Sequence, residues 1–123
     1  MIPKKASHVR IENASRGGQL AANARVANRA WSRLVGLLGR SKLSPGEGLV
    51  IAPGSAIHTF FMRMSIDVVF VDKNGEVVKT AINVKPFRMV TCPLRTRYTL
   101  ELPVGVIEQT QTAVGDRIET FAV

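Results

Sequence analysis

The stretch Ile57–Val78 constrains the fold more than any other part of the sequence. It carries three of the five phenylalanines beside a dense run of β-branched residues. Such side chains pack well on a pleated surface, so the short apolar runs 57–62 and 66–71 predict strands that are buried on both faces. The turn Asp72-Lys73-Asn74-Gly75 accepts the positive φ angles of a tight hairpin. We therefore predict a β-hairpin over residues 66–84.

Other short strands are predicted on both sides of this stretch from the alternation of apolar side chains. They are Val9–Glu12, Gln19–Val26, Leu49–Ala52, Tyr98–Leu102 and Arg117–Val123. In the fourth of these, Leu100 and Leu102 alternate with polar residues. That pattern is typical of a half-buried strand, so the side chains of Thr99 and Glu101 should face solvent.

One segment repeats with the period of an amphipathic helix. Its apolar residues recur at i, i+3, i+4 and i+7. They are Trp31, Leu34, Val35 and Leu38. We predict one short amphipathic helix near residues 29–40 and a single helical turn at Val106–Gln109. With about seven strands, residues 1–123 should form one mainly β domain, either a β sandwich or a barrel-like fold, in which residues 1–7 are mobile.

Basic charge is concentrated in the first third of the chain. Residues 1–42 hold nine Lys and Arg residues and one acid, whereas residues 43–123 hold eight of each sign. The net charge of +8 therefore belongs to the first third. Such a segment can attract nucleic acid or anionic membrane, although Trp31 is its only aromatic side chain for stacking on bases. We expect weak, non-specific polyanion binding at most, and a solvated surface is the alternative.

The composition also bears on the compartment. The single cysteine, Cys92, excludes an internal disulfide bond and fits a reducing environment. No apolar stretch approaches the roughly 18 residues of a membrane-spanning helix. We therefore expect a cytoplasmic protein without a transmembrane segment, or a secreted or envelope-associated one if a leader precedes residue 1.

Several segments in order resemble domain-of-unknown-function family 192, also called uncharacterised protein family 0127, over residues 20–120. They are Arg33–Arg40, Gly48–Ile51, Ile57–Arg63, Ile66–Phe70, Leu100–Gly105 and Gly115-Asp116. The resemblance implies a compact, mainly β domain and no established activity. The sequence His-Thr-Phe-Phe-Met at 58–62 is similar to one variant of the family. That variant usually has Pro where this chain has Ser65, and often has Cys where this chain has Gly54.

Polar residues in or beside the central stretch are the candidates for a site. His58 and Asp67 interrupt apolar runs, and Arg63 lies between them. A lone histidine in an apolar strand is either hydrogen-bonded in the core or part of a site. A buried carboxylate needs partners, so Asp67 either accepts hydrogen bonds from backbone N–H groups or lines a site with a neighbouring cation or imidazole. Arg33 and Arg40, on the predicted helix, are further candidates for contacts with an anion.

The pairing of the two central strands decides whether His58 and Asp67 can act together. If residues 57–62 and 66–71 pair antiparallel, the two side chains come near the same rim of the sheet. A register slip of one residue would place them on opposite faces. Side by side, they could orient water or a substrate as acid and base.

The sequence contains no recognisable catalytic or metal-binding motif. It lacks the HExxH, CxxC, G-x-S-x-G and P-loop patterns, so we predict no catalytic residue, no metal and no cofactor. The leading hypothesis is a non-catalytic accessory module that binds a small ligand, peptide or protein near His58, Arg63 and Asp67. One alternative is a hydrolase-like enzyme using His58 and Asp67. Another is a binder of anionic polymers or membrane surfaces that uses the basic N-terminal third.

Overall fold

Strands form most of the regular structure of this chain. The computed structural model describes residues 2–3, 5–29, 42–60 and 62–123. The strands are β1 (His8–Asn13), β2 (Gly18–Ala27), β3 (Glu47–Ile51), β4 (Ile57–His58), β5 (Ile66–Asp72), β6 (Val77–Val84), β7 (Met89–Val90), β8 (Thr96–Pro103) and β9 (Ile118–Ala122), and a short helix α1 spans Val106–Thr110. The mainly β prediction is confirmed. Of the helix predicted near residues 29–40, residues 30–40 lie outside the described part of the chain.

Seven of these strands form one sheet in the order β6-β5-β8-β3-β2-β1-β9. Neighbouring strands are antiparallel except β2 and β3, which are parallel. Parallel strands need a crossover connection of about a dozen residues or more, and residues 28–46 supply that length. The remaining strands, β4 and β7, pair with each other in a small second sheet.

The predicted hairpin over residues 66–84 is confirmed as β5 and β6. Strand β5 also pairs with β8, and all of its residues from Ile66 to Val71 are buried. Their side chains enter two separate apolar clusters, since Val69 and Val71 pack into one cluster and Val68 and Phe70 into the other. The central strands of the sheet are therefore covered on both faces.

Because both faces of the central strands are covered, the prediction that one face of β8 is exposed to solvent is wrong. The side chains of Thr99 and Glu101 are not solvent-facing: Thr99 is 0% and Glu101 is 5% exposed. Alternation in a strand gives the face on which a side chain lies, but it does not say whether a second layer covers that face. Here Glu101 lies opposite Leu49 and Val68 in the sheet, and both are members of the second apolar cluster.

The sheet curls until its two edge strands meet at one corner. An isolated bridge joins Glu76 to Arg117, and the backbone N–H of Ile118 donates to the Gly75 carbonyl at 2.7 Å. Gly75 has a φ of +87°, and a Cβ at this position would lie 2.7 Å from the Ile118 carbonyl oxygen. Glycine is therefore required where the edges touch. The sheet is a half-barrel, which confirms the barrel-like alternative.

The strand predicted over residues 57–62 is wrong in length and partner. Strand β4 is two residues long and pairs with β7, whereas β5 pairs with β6 and β8. The chain leaves the extended conformation after His58 because Thr59 is held by the loop at residues 85–88. Phe61 lies outside the described residues.

Candidate functional site

Thr59 fixes the segment that carries His58 to a second segment of the chain. Its side chain is fully buried. Its hydroxyl donates to the Lys85 carbonyl at 2.6 Å and accepts from the Arg88 N–H at 2.9 Å. Its own N–H donates to the Arg88 carbonyl at 2.8 Å, and its carbonyl accepts from the Phe87 N–H at 3.1 Å. Together with a longer hydrogen bond from the hydroxyl to the Arg88 carbonyl at 3.3 Å, these contacts hold the loop at residues 85–88 in register with β4.

The two segments present a row of rings to solvent. The ring centroids of His58 and Phe60 are 5.4 Å apart, and those of Phe60 and Phe87 are 6.3 Å apart, with interplanar angles of 33° in both pairs. Phe60 is 38% and Phe87 is 61% exposed. Met89, which pairs with His58 across the small sheet, is 67% exposed. We call the surface formed by His58, Phe60, Phe87 and Met89 the aromatic face.

His58 belongs to this face because of the pleat of β4. Ile57 is buried in the second apolar cluster, so the next side chain along the strand points the other way. His58 is accordingly exposed, and the alternative that it is a hydrogen-bonded core residue is wrong.

Phe87 holds an uncommon backbone conformation. Its φ is +62°, in the left-handed region that bulky residues rarely occupy, and this costs about 1–2 kcal/mol. Its ring is largely exposed, so burial in the core does not offset that cost. A strained backbone that carries an exposed aromatic ring is typical of a functional surface rather than a packing element.

Basic side chains accompany the aromatic face. Lys85 and Arg88 flank Phe87, Arg63 follows Phe60 by three positions, and all three are exposed. No acidic residue occurs between Glu47 and Asp67 or between Glu76 and Glu101. The two stretches that build the face therefore have a positive charge that no acid within them offsets.

Asp67 lies away from the aromatic face. Its side chain is 1% exposed and accepts hydrogen bonds from three backbone N–H groups. The donors are Asn83 at 2.9 Å, Gly105 at 3.1 Å and Ile107 at 3.0 Å. Two of them stand at the beginning of α1, so the carboxylate of a β5 residue caps a helix that follows β8. The interpretation that Asp67 caps neighbouring N–H groups is confirmed.

The structure places His58 and Asp67 on opposite faces of the seven-stranded sheet. Asp67 pairs with Leu102, a member of the first apolar cluster, whereas Ile57 anchors β4 to the second cluster. Both oxygens of Asp67 already accept hydrogen bonds. The shared rim considered from the sequence is therefore wrong, because β4 does not pair with β5.

Glu101 is a buried carboxylate that sequence reasoning missed. It is 5% exposed, and its Oε2 has no hydrogen-bond partner among the described residues. Burial raises the pKa of Glu101 to about 7, against a smaller lowering by the nearby Arg25 guanidinium. Alternation alone could not reveal it, because the sequence does not show that a second apolar cluster covers the face on which Glu101 lies.

The remaining predictions concern two arginines, a metal site and a transmembrane segment. Arg33 and Arg40 lie outside the described residues. Within residues 2–3, 5–29, 42–60 and 62–123, no cluster of three His, Cys, Asp or Glu side chains could hold a metal ion. In the same part of the chain, no helix is long and apolar enough to cross a bilayer.

The basic N-terminal third is not a uniformly positive surface. Arg10 pairs with Glu12 at 2.7 Å, and Arg16 pairs with Asp116 at 2.9 Å. The Arg16 hydrogen bond is the main reason why the pKa of Asp116 falls to about 2, although burial opposes it. Acids from within and outside the segment thus neutralise part of the charge that the sequence concentrates there.

Gly54, where the family variant often has a cysteine, is closely packed in this chain. A Cβ at this position would lie 2.7 Å from the Tyr98 carbonyl carbon and 2.9 Å from the Thr99 nitrogen. Those neighbours are backbone atoms of β8, which cannot move without disturbing the sheet. A side chain here would therefore strain the sheet.

Comparison with known proteins identifies the family of this chain. The model of domain-of-unknown-function family 192, described as Uncharacterized ACR, matches residues 11–120. The chain belongs to this family. A family relative from Pyrococcus horikoshii, named a UPF0127 protein, is 35% identical over 117 residues, which cover 90% of this chain and 98% of the relative. One from Pyrococcus furiosus is 33% identical over 113 residues, covering 87% and 94%.

Two crystal structures share the fold of this family member. A protein of unknown function from Novosphingobium aromaticivorans superposes with a TM-score of 0.79 at 20% identity, covering 97% of this chain and 90% of its own. A protein from Sinorhizobium meliloti gives a TM-score of 0.80 at 21% identity, with 98% and 97% covered. At these identities the likeness establishes the fold alone. The family is uncharacterised in function, so a role must be argued from the chain's own surface.

Proposed function

We propose that this protein is a non-catalytic binding module whose ligand docks on the aromatic face. The observation that carries the proposal is the row of His58, Phe60 and Phe87 rings held open to solvent on a hydrogen-bonded support. Exposed rings are costly to keep in water unless a partner covers them. The hydrogen bonds between Thr59 and residues 85–88 pre-organise the face, which lowers the entropy lost on binding.

A hydrolytic role for His58 with Asp67 has less support. Acid–base catalysis needs the two groups within hydrogen-bond reach of the same proton. Asp67 accepts from three backbone N–H groups on the face of the sheet away from β4. Its carboxylate caps α1 and binds β6 at Asn83, so Arg63 and His58 remain as the ligand-facing members of the set His58, Arg63 and Asp67.

NMR chemical-shift mapping on the full chain tests the proposal. The probes are a twelve-nucleotide oligothymidylate, an oligoglutamate peptide and phosphatidylglycerol vesicles, each added to isotope-labelled protein. We expect at least one probe to shift the resonances of His58, Phe60 and Phe87 more than those of the rest of the chain. That response should disappear in the double variant Phe60→Ser/Phe87→Ser.

The matched control is Val114→Ser, which removes a side chain that is 59% exposed in a loop remote in sequence from the face. This variant should retain the response. If none of the three probes perturbs the aromatic face, or if the perturbed residues lie elsewhere, the proposed function is wrong.

A further inference from the structure

We infer that the ligand of the aromatic face is single-stranded nucleic acid, with bases stacking on the rings and phosphates contacting the flanking cations. This inference rests on the proposed function and names the chemistry of its ligand. It follows from the ring row, the charge of the two segments that carry it, and the position of that charge beside the rings.

The rings supply a stacking platform. Base–aromatic stacking is the main sequence-independent contact of proteins that bind single strands, because every base has a π-face. His58, Phe60 and Phe87 follow one another at centroid separations of 5.4 Å and 6.3 Å. An extended strand whose bases are unpaired can lay successive bases along such a row, whereas the bases of a duplex are stacked on each other and unavailable.

The cations supply the phosphate contacts. Residues 77–100 contain five basic residues and no acid. Among the described residues, Lys79 donates to the Thr91 carbonyl at 2.6 Å, Arg95 is 4.0 Å from Glu76, and the Arg88 guanidinium donates to the Phe87 carbonyl at 3.4 Å. Lys85 and Arg88 stand on either side of Phe87 in the chain, and both are exposed. With Arg63, three positions after Phe60, they place exposed positive charge close to the rings in the chain, and a polyanionic backbone bound at the rings would meet it.

Other polyanions match only part of this surface. An acidic peptide such as oligoglutamate could satisfy Arg63, Lys85 and Arg88, but it offers no aromatic groups to stack on the ring row. An anionic bilayer could attract the same cations, but membrane insertion favours apolar side chains that project freely. Phe60 is only 38% exposed and lies between His58 and Phe87, with a polarisable imidazole at one end of the row.

The charged segment at the N-terminus is a different surface. Trp31 is the only aromatic residue among the first 42, so the rings and the excess charge are separated in the sequence. The fold instead collects rings and cations from residues 58–63 and 85–89. The polyanion site predicted from charge alone would give binding that depends on Lys4, Lys5 and Arg10. The inference made from the aromatic face predicts binding that does not depend on them.

Fluorescence anisotropy with a labelled twelve-nucleotide oligothymidylate and the full-length protein tests the inference. We expect Phe60→Ser/Phe87→Ser to weaken binding at least tenfold, because two stacking contacts are removed. Arg63→Gln/Arg88→Gln should weaken it and reduce the slope of log K against log salt by about 1.4, at roughly 0.7 for each cation on single strands. Val114→Ser and Lys73→Gln, at exposed positions away from the face, should behave as wild type.

Competition separates the ligand classes. Unlabelled single strand should displace the probe at least tenfold better than a duplex of the same length, oligoglutamate or phosphatidylglycerol vesicles. If the ring variants bind the oligonucleotide as tightly as wild type, or if oligoglutamate or vesicles compete better, the inference is wrong. In that case NMR shifts at the aromatic face with another probe would leave the proposed function standing, and their absence with every probe would remove both.

Discussion

Asp67 and Glu101 are buried carboxylates on neighbouring strands of one sheet, and they differ in the hydrogen-bond donors that surround them. They are 1% and 5% exposed, on opposite faces of the sheet. Asp67 accepts three backbone N–H hydrogen bonds, whereas Glu101 Oε2 accepts none from the described residues. Burial raises the pKa of Glu101 to about 7. The comparison teaches that donors, rather than depth alone, decide whether a buried acid supports the fold or opposes it.

The largest effect is expected from removing the satisfied carboxylate. Asp67→Ala leaves three N–H groups without their acceptor, so it should lower the free energy of unfolding by about 3–5 kcal/mol. Asp67→Asn keeps one acceptor oxygen and should lose about half as much. Urea denaturation measures both. The control is Asp72→Ala, which removes an exposed acceptor of the Asn74 and Glu76 N–H groups and should cost about 1 kcal/mol. Equal losses at the two positions would contradict the comparison.

The next effect is the pH dependence caused by Glu101. Between pH 4.5, the ordinary pKa, and about 7, the folded chain holds a proton that the unfolded chain has released. Stability must therefore fall as pH rises through this window, by about 3 kcal/mol in total. Glu101→Gln cannot ionise and should remove that fall.

Thermal or urea unfolding from pH 4 to pH 8 provides the measurement. Wild type and Glu101→Gln should diverge steadily across the window and run parallel outside it. A constant difference at all pH values would show that Glu101 has an ordinary pKa in the fold. Glu108→Gln, at an exposed position, is the control and should keep the wild-type slope.

A smaller effect of opposite sign is expected at Asp116. The hydrogen bond from Arg16 lowers its pKa to about 2, despite the opposing effect of burial. Its contribution to stability is present above the ordinary pKa of 3.8 and is lost as pH falls through about 2. The Arg16 side chain is 42% exposed, so solvent screens part of the interaction. Asp116→Asn should make acid unfolding less steep below pH 4, and Glu119→Gln should not.

The smallest effect on stability is expected for substitutions on the aromatic face, where we expect the largest effect on binding. Phe60→Ser/Phe87→Ser removes exposed rings and should change the free energy of unfolding by less than about 1 kcal/mol. Phe87→Gly should be neutral or stabilising by up to about 1 kcal/mol, because glycine adopts a φ of +62° without strain. Differential scanning calorimetry measures these shifts. A loss comparable with that of Asp67→Ala would make the aromatic face part of the core.

The sequence predicted what is local and missed what depends on distant partners. The hairpin over residues 66–84 could be predicted because its turn and both strands are contiguous. The end of β4 could not, because the groups that bind Thr59 lie at residues 85–88. Which face of the sheet His58 and Asp67 lie on depends on which strands pair. An alternating pattern of apolar and polar residues does not show which strands pair.

The same reasoning explains the site. The polarity of His58 and Arg63 in an apolar stretch makes both residues candidates for a site, and both are exposed. Phe60 and Phe87 carry no such signal, because an aromatic residue in a β-rich segment is ordinarily part of the core. Only the fold brings together rings that are 27 positions apart in the chain, as the Phe60–Phe87 contact shows.

Because β1 pairs with β9, the last strand along the chain, the seven-stranded sheet can be completed only after β9 has been synthesised. Val9 pairs with Ala122, and the corner at Gly75 needs the N–H of Ile118. While the intervening residues are still being translated, β1 presents an edge with unpaired backbone groups that another chain can join. Contacts between residues so far apart form late, since the long loop must close first. We therefore expect nascent chains to be most open to aggregation until β9 has left the ribosome, and a chaperone that shields β1 would act in that interval.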